Sequence, residues 1–433
     1  MSNEPELRSA LAYLDRHLNR EVDPTAVDGD ALHSMRTLMR ALGDPQVDTP
    51  IIQVTGTNGK GSTAAMITAL LAGMGLSVGT YNSPHVSTVR ERISCNGELI
   101  EATELAEVLD VIARVELTID ISPSWFELMT AAAYRWFADT AVDVAVVEVG
   151  LLGRFDATSV VDPTVAVITN VDFDHTDGGP TWRRDVAWEE AGIIRPSSLL
   201  CLGETDPELE AVFVAENPAA IRRRDVDFRC EDNELAVGGR LVTLRSTESH
   251  HGDVFVSLHG AHQGDNAAIA LAAAEAFLGT AIPADVVAEA FGSLFLPGRF
   301  EVLGREPLVI VDGAHNPPGA EASIETLEEG FHVAGRRLQV IGMLGGRDLE
   351  WMLTSLGADR ADLVVACTAP SPRAVPAREI AAAVAALDVD VEVVEDPGDA
   401  AERALSMAND EDLVYAAGSL YVAGAVRDRL LVS

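Results

Sequence analysis

Of the 31 basic residues in this chain, 30 are arginine and one is lysine. The lysine, Lys60, sits in Thr55-Gly56-Thr57-Asn58-Gly59-Lys60-Gly61-Ser62-Thr63, between an apolar stretch and a helix-like one. Glycines at these positions let backbone N–H groups turn inward around phosphate oxygens, and the start of a helix adds positive potential. Lys60 offers a compact charge for the outer phosphates of a nucleotide. The Ser62 hydroxyl falls where such loops approach Mg²⁺. The usual phosphate-loop spacing places Ser or Thr directly after Gly-Lys, whereas here Gly61 intervenes. A purely structural glycine turn would account for the glycines but not for the only lysine.

Other candidates lie where apolar runs end. Glu148-Val149-Gly150 closes a valine-rich run, and Asp172-Phe173-Asp174-His175 follows another that ends at Asn170. Acids at such positions stand at the carboxyl edge of a parallel sheet, where open α/β sheets bind ligands. Mg²⁺ prefers oxygen, so His175 read alone suits a hydrogen-bonded loop residue better than a ligand. Further on, Asp312-Gly313-Ala314-His315-Asn316-Pro317 again follows an apolar run, and Asn-Pro favours an Asx-type turn.

These groups need a scaffold. Residues 1–49 read as helical, with Leu7, Leu11, Leu14 and Leu18 at helical spacing. Strands are predicted at 51–54, 78–81, 142–149 and 165–170, and helices at 62–74, 103–116, 125–138 and 261–278. Their alternation predicts an α/β fold with a parallel sheet covered on both faces. Residues 223–259 predict a small antiparallel insert with turns at Asp232-Asn233 and Gly238-Gly239. After the linker Leu296-Pro297-Gly298-Arg299, strands at 308–311, 338–341, 363–366 and 389–394 predict a second, smaller α/β unit. The expected division is 1–295 and 296–433.

Composition excludes several function classes. The net charge of −37 disfavours nucleic acid and anionic membrane surfaces as partners. No apolar run is long enough to span a bilayer, and the N-terminus lacks the apolar core of a secretory signal. Four scattered cysteines fit neither a disulfide framework nor a zinc site, so a cytoplasmic setting is expected.

Taken together, the segments resemble the folylpolyglutamate synthase/dihydrofolate synthase family of the ATP-dependent Mur ligase superfamily. TGTNGKGS at 55–62, SPHV at 83–86, RERI at 90–93, SWFE at 124–127, EVGLLGRFDATS at 148–159, DHTD at 174–177, EEAGI at 189–193, LPGRFE at 296–301 and DGAHNP at 312–317 occur in the family's order. The resemblance implies a P-loop Mur-ligase-like central domain followed by a Rossmann-like C-terminal domain. It implies ATP on Thr57, Asn58, Gly59, Lys60, Gly61 and Ser62, with further contacts from Asn266, Arg299 and Asp312. It implies Mg²⁺ on Ser83, Glu148 and His175, and a pterin on Ser124, Trp125, Phe126, Glu127, Phe155, Asp156 and Ala157. His315 is a weaker catalytic candidate. The implied reaction is amide ligation: a pteroate or folate carboxylate takes the γ-phosphoryl group of ATP, and glutamate's amine displaces phosphate from the acyl phosphate. Relatives of this kind are usually monomers.

Three departures bear on that reading. Leu152 stands where the family has glycine, and Gly178-Gly179-Pro180-Thr181 replaces a bulkier stretch. Glu190 stands where the family commonly carries a lysine that is carbamylated near the metals. We expect Glu190 to supply a permanent carboxylate instead; the bland alternative is a solvated helix residue. Two other readings stay open: a ligase acting on a different acid, and a nucleotide-binding homologue that no longer catalyses.

Overall fold

The computed structural model describes residues 4–17, 32–174, 176 and 178–432. Leu18 and His175 lie outside them. Eight strands form the larger sheet: β1 (Ile51–Thr55), β2 (Val78–Tyr81), β3 (Ile93–Cys95), β4 (Glu98–Leu99), β5 (Val144–Glu148), β6 (Val165–Ile168), β7 (Leu199–Leu202) and β8 (Ala220–Arg223), in the order β4-β3-β2-β5-β1-β6-β7-β8. Only the β2–β3 and β3–β4 pairs are antiparallel. β1, β2, β5 and β6 are buried along their whole length, as a sheet covered on both faces requires. One face carries the helices Lys60–Gly73 and His262–Leu278, which are apolar almost all round and therefore core elements. The other carries Trp125–Asp139.

β1 lies between β5 and β6. The chain leaves β1 for β2 on one side and later reaches β6 on the other. The carboxyl ends of the three strands therefore enclose a crevice at the point where strand order reverses. The loop carrying Lys60 springs from β1 into it.

β9 (Arg229–Ala236), β10 (Gly239–Arg245) and β11 (His250–Val256) form the antiparallel insert. One expected turn is corrected: Asp232-Asn233 lies inside β9. There Asn233 accepts from Arg240 and donates to the carbonyl of Ala261, so its polar side chain ties the insert down. Gly238, at φ +82°, does make the hairpin turn.

The second sheet comprises β12 (Glu301–Arg305), β13 (Leu308–Val311), β14 (Arg337–Ile341), β15 (Leu363–Ala366), β16 (Val391–Val393) and β17 (Leu413–Ala417), ordered β12-β13-β17-β14-β15-β16. It is parallel apart from β12. β17 is buried throughout and sits at its centre, although its five residues carry no pattern that separates them from a helix end.

Candidate functional site

The carboxyl edges of the two sheets face one another across a cleft. Thr57 to Ser62, Ser83, Pro84, Glu148, Gly150, Leu151 and Asp174 line one wall. The other wall is Arg299, His315, Leu344, Arg347, Arg373 and Ser419 to Tyr421.

The phosphate loop is held from several sides. Gly56, at φ +131°, passes so close to β6 that a Cβ there would fall 1.9 Å from the Thr169 hydroxyl. Gly59, at φ +82°, caps the helix Lys60–Gly73, and a Cβ there would fall 2.4 Å from Asn266 Oδ1. Only glycine fits either place. The contact also puts Asn266 against the loop, although it does not line the cleft. Thr57 N and Asn58 N donate to Asn170, one to its carbonyl and one to its side chain. Lys60 Nζ curls back onto the carbonyls of Gly56 (2.6 Å) and Thr57 (3.1 Å), within the first helical turn.

Beside the loop stands an oxygen-rich corner. Ser83 N donates to Glu148 Oε2 at 3.0 Å. A Cβ on Gly61 would lie 3.5 Å from Glu148 Oε1 and 3.8 Å from an Arg299 nitrogen, so both side chains flank the loop. Burial raises the pKa of Glu148; Lys60, the Ser83 amide, Arg299 and Arg92 oppose that rise. The buried Ser83 hydroxyl has no hydrogen-bond partner among the described residues. An orphaned hydroxyl next to a buried carboxylate suits a hard cation with oxygen ligands, and the pair fits Mg²⁺.

Glu190 is not a solvated helix residue. It is 1% exposed, and its Oε2 has no partner among the described residues. Burial pushes its pKa well up, with Glu204 adding to the effect and Lys60 and the Thr57 hydroxyl pulling the other way. It sits behind the loop rather than on the cleft wall.

The predicted pterin residues form a separate, tightly packed group. Ser124 and Glu127 exchange hydrogen bonds as a capping box at the start of the helix Trp125–Asp139. Phe126 packs on Gly150, where a Cβ would fall 2.4 Å from its ring. The buried Asp156 accepts from Leu151 N and from the amide and hydroxyl of Thr158. Trp125 lies under the Arg92 guanidinium, 4.7 Å from ring centre to Cζ. Phe155 is half-exposed beside Trp188, and Ala157 is buried. None of these lines the cleft, but Gly150 and Leu151 join the two regions.

Residues 298–420 match the Mur ligase, glutamate ligase domain family. The dihydrofolate synthase/folylpolyglutamate synthase of Mycobacterium tuberculosis is 33% identical over 466 residues, covering 98% of this chain and 94% of that one. The chain belongs to the folylpolyglutamate synthase/dihydrofolate synthase family. The structure of M. tuberculosis folylpolyglutamate synthase complexed with ADP superposes with a TM-score of 0.92 at 34% identity, over 99% of both chains. E. coli FolC in complex with DHPP and ADP gives 0.85 at 29% identity, over 98% of both.

Within this member of the family, the cleft gathers residues 57–62, Ser83, Glu148, Arg299 and His315. Asp312 stands behind its wall. Burial raises its pKa against a bond from the Ala314 amide and the charge of Arg299. His315 faces the cleft with 36% of its side chain exposed; desolvation lowers its pKa to about 4, so the ring is neutral near pH 7. Sequence reasoning missed Arg347 and Arg373. Their only signal was position: each follows a C-terminal strand, and the strand order alone brings those ends together.

Proposed function

We propose that this chain is an ATP-dependent ligase that joins L-glutamate to a pteroate or folate carboxylate through an acyl phosphate. The observation that carries the reading is the single cleft in which Lys60, the glycine loop, the Ser83–Glu148 corner and Arg299 converge. Loop amides and Lys60 cradle the triphosphate. Ser83 and Glu148 would hold Mg²⁺, which when bound would supply charge neutralisation at the outer phosphates. Arg299, from the C-terminal side, adds a second positive charge, so two anionic substrates meet in a locally positive place within a protein of net charge −37. Walls from both domains exclude water, which protects an acyl phosphate from hydrolysis. Both walls come from one chain, which supports action as a monomer. ATP dependence supports a cytoplasmic setting.

Glu190 supplies a built-in carboxyl group behind the phosphate loop, whose neutral form burial favours, so activity does not depend on dissolved CO₂. Residues 124–127 and 155–157 hold the pterin end of the acid. The deciding experiment is ADP formation with dihydropteroate or tetrahydrofolate, with and without glutamate. Release that requires both acid and glutamate supports the ligase. Release indifferent to every pteridine acid, but dependent on some other acid, would place the chain among ligases of different specificity.

A further inference from the structure

Asn316 is fully buried at the end of the loop that follows β13, and its side-chain amide is used completely. Oδ1 accepts from Gly319 N at 2.9 Å, capping the helix Pro317–Gly330. That bond fixes which way the amide points. Nδ2 must then face the opposite wall of the cleft, where it donates to Asn58 Oδ1 at 3.1 Å and to Asp174 Oδ2 at 3.0 Å. Asn58 belongs to the phosphate loop, and Asp174 to the loop after β6. Asp174 also accepts from Arg347 at 2.8 Å, and His315 approaches it to 3.6 Å. Three side chains of the C-terminal unit thus converge on one buried carboxylate of the other wall.

Asn58 is held equally firmly within its own domain: its amide donates to Asn170 Oδ1, and its carbonyl accepts from Thr169 at 2.6 Å. Its side chain is the part left to the opposite wall. We propose that Asn316 is a positioning residue that fixes the phosphate loop from across the cleft, with Asp174 as its second anchor. Loop geometry is then complete only when the two domains are docked. The inference deepens the ligase reading, but its main readout needs no turnover. Two hydrogen bonds that span the cleft, one buried and one partly buried, couple docking to loop order directly, because each is lost when the walls part.

The test uses the full chain without nucleotide. Asn316→Ser keeps an oxygen cap for the helix but removes both cross-cleft donors. Hydrogen exchange at the Thr57 and Asn58 amides is expected to quicken roughly tenfold, with exchange in the helix Pro317–Gly330 unchanged. Calorimetry with ADP is expected to show weaker binding. Asn316→Asp places a second carboxylate beside Asp174 and is expected to loosen the loop further. Adding Asp174→Asn restores a donor between the two positions and is expected to recover part of the loss. Unchanged exchange at residues 57–58 in Asn316→Ser, or a double variant no better than Asn316→Asp alone, would overturn the proposal. Weakened ADP binding without any glutamate-dependent turnover would leave the latch standing and remove the ligase.

Discussion

Charges sharing one small volume set the chemistry at residue scale. Lys60 is the only lysine in the chain and already sits in the first turn of its helix, held by two loop carbonyls. Lys60→Met keeps length and helix propensity but removes the charge. Turnover is expected to fall by roughly 10²–10³-fold, with the melting temperature little changed; a normal rate of ADP release would defeat the ligase reading. Glu190 presents the opposite balance. Its folded pKa lies well above the ordinary value of 4.5, chiefly because burial disfavours the charged form. A raised folded pKa means that the folded chain holds its proton after the unfolded chain has lost it. Glu190's contribution is therefore complete below the ordinary value and is lost as pH rises through the folded value. Glu190→Gln is expected to melt progressively later than the parent as pH climbs from about 4.5, while its ATP turnover drops. A constant difference in melting temperature across pH, or undiminished turnover, would show that Glu190 is neither strained nor used.

At the scale of elements, the phosphate loop, the buried strands β1, β5 and β6 and the long alanine-rich helix were legible from sequence because each carries an unbroken apolar pattern or a glycine signature. β17 was not, and Arg347 and Arg373 were hidden with it. The apolar run of β17 is flanked by the alanine-rich helices of the C-terminal unit and so does not stand out as a strand, and only its insertion between β13 and β14 tells which loops meet. Leu152 shows a conflict of another kind. It adopts φ +59°, a conformation that favours glycine, while its half-buried side chain packs against the apolar cluster under β6 and β7. The neighbouring Gly150 has no such freedom, since any Cβ would strike the Phe126 ring. Gly150→Ala is expected to displace the first turn of the helix Trp125–Asp139, costing about 1–3 kcal/mol of stability. It should raise KM for the pteridine acid several-fold and leave KM for ATP nearly unchanged, because the loop at 55–62 hangs from β1 instead. Steady-state kinetics with each substrate varied in turn would reveal an equal effect on both, which would mean that residues 124–127 do not serve the acid separately.

For the whole molecule, 68 acidic residues against 31 basic ones leave a surface that repels itself. Many arginines are engaged in ion pairs, among them Arg240 with Glu329 between the insert and the C-terminal unit, and Arg427 with Glu301. Added salt weakens both the repulsion and the pairs, so the net effect depends on which is screened more. Exposed pairs are worth about 0–1 kcal/mol each, and salt removes only part of that. Repulsion sums over the many acids that have no partner, and it acts at distances comparable to the screening length, which shrinks from about 10 Å at 0.1 M to about 3 Å at 1 M. The long-range term is therefore screened more completely than the close contacts. Sodium chloride between 0.1 and 1 M is expected to raise the melting temperature steadily, while the apparent KM for ATP rises because Lys60 and Arg299 are screened as well. A melting temperature that falls with chloride would mean that the arginine pairs, not the surplus of acid, govern how this chain responds to salt.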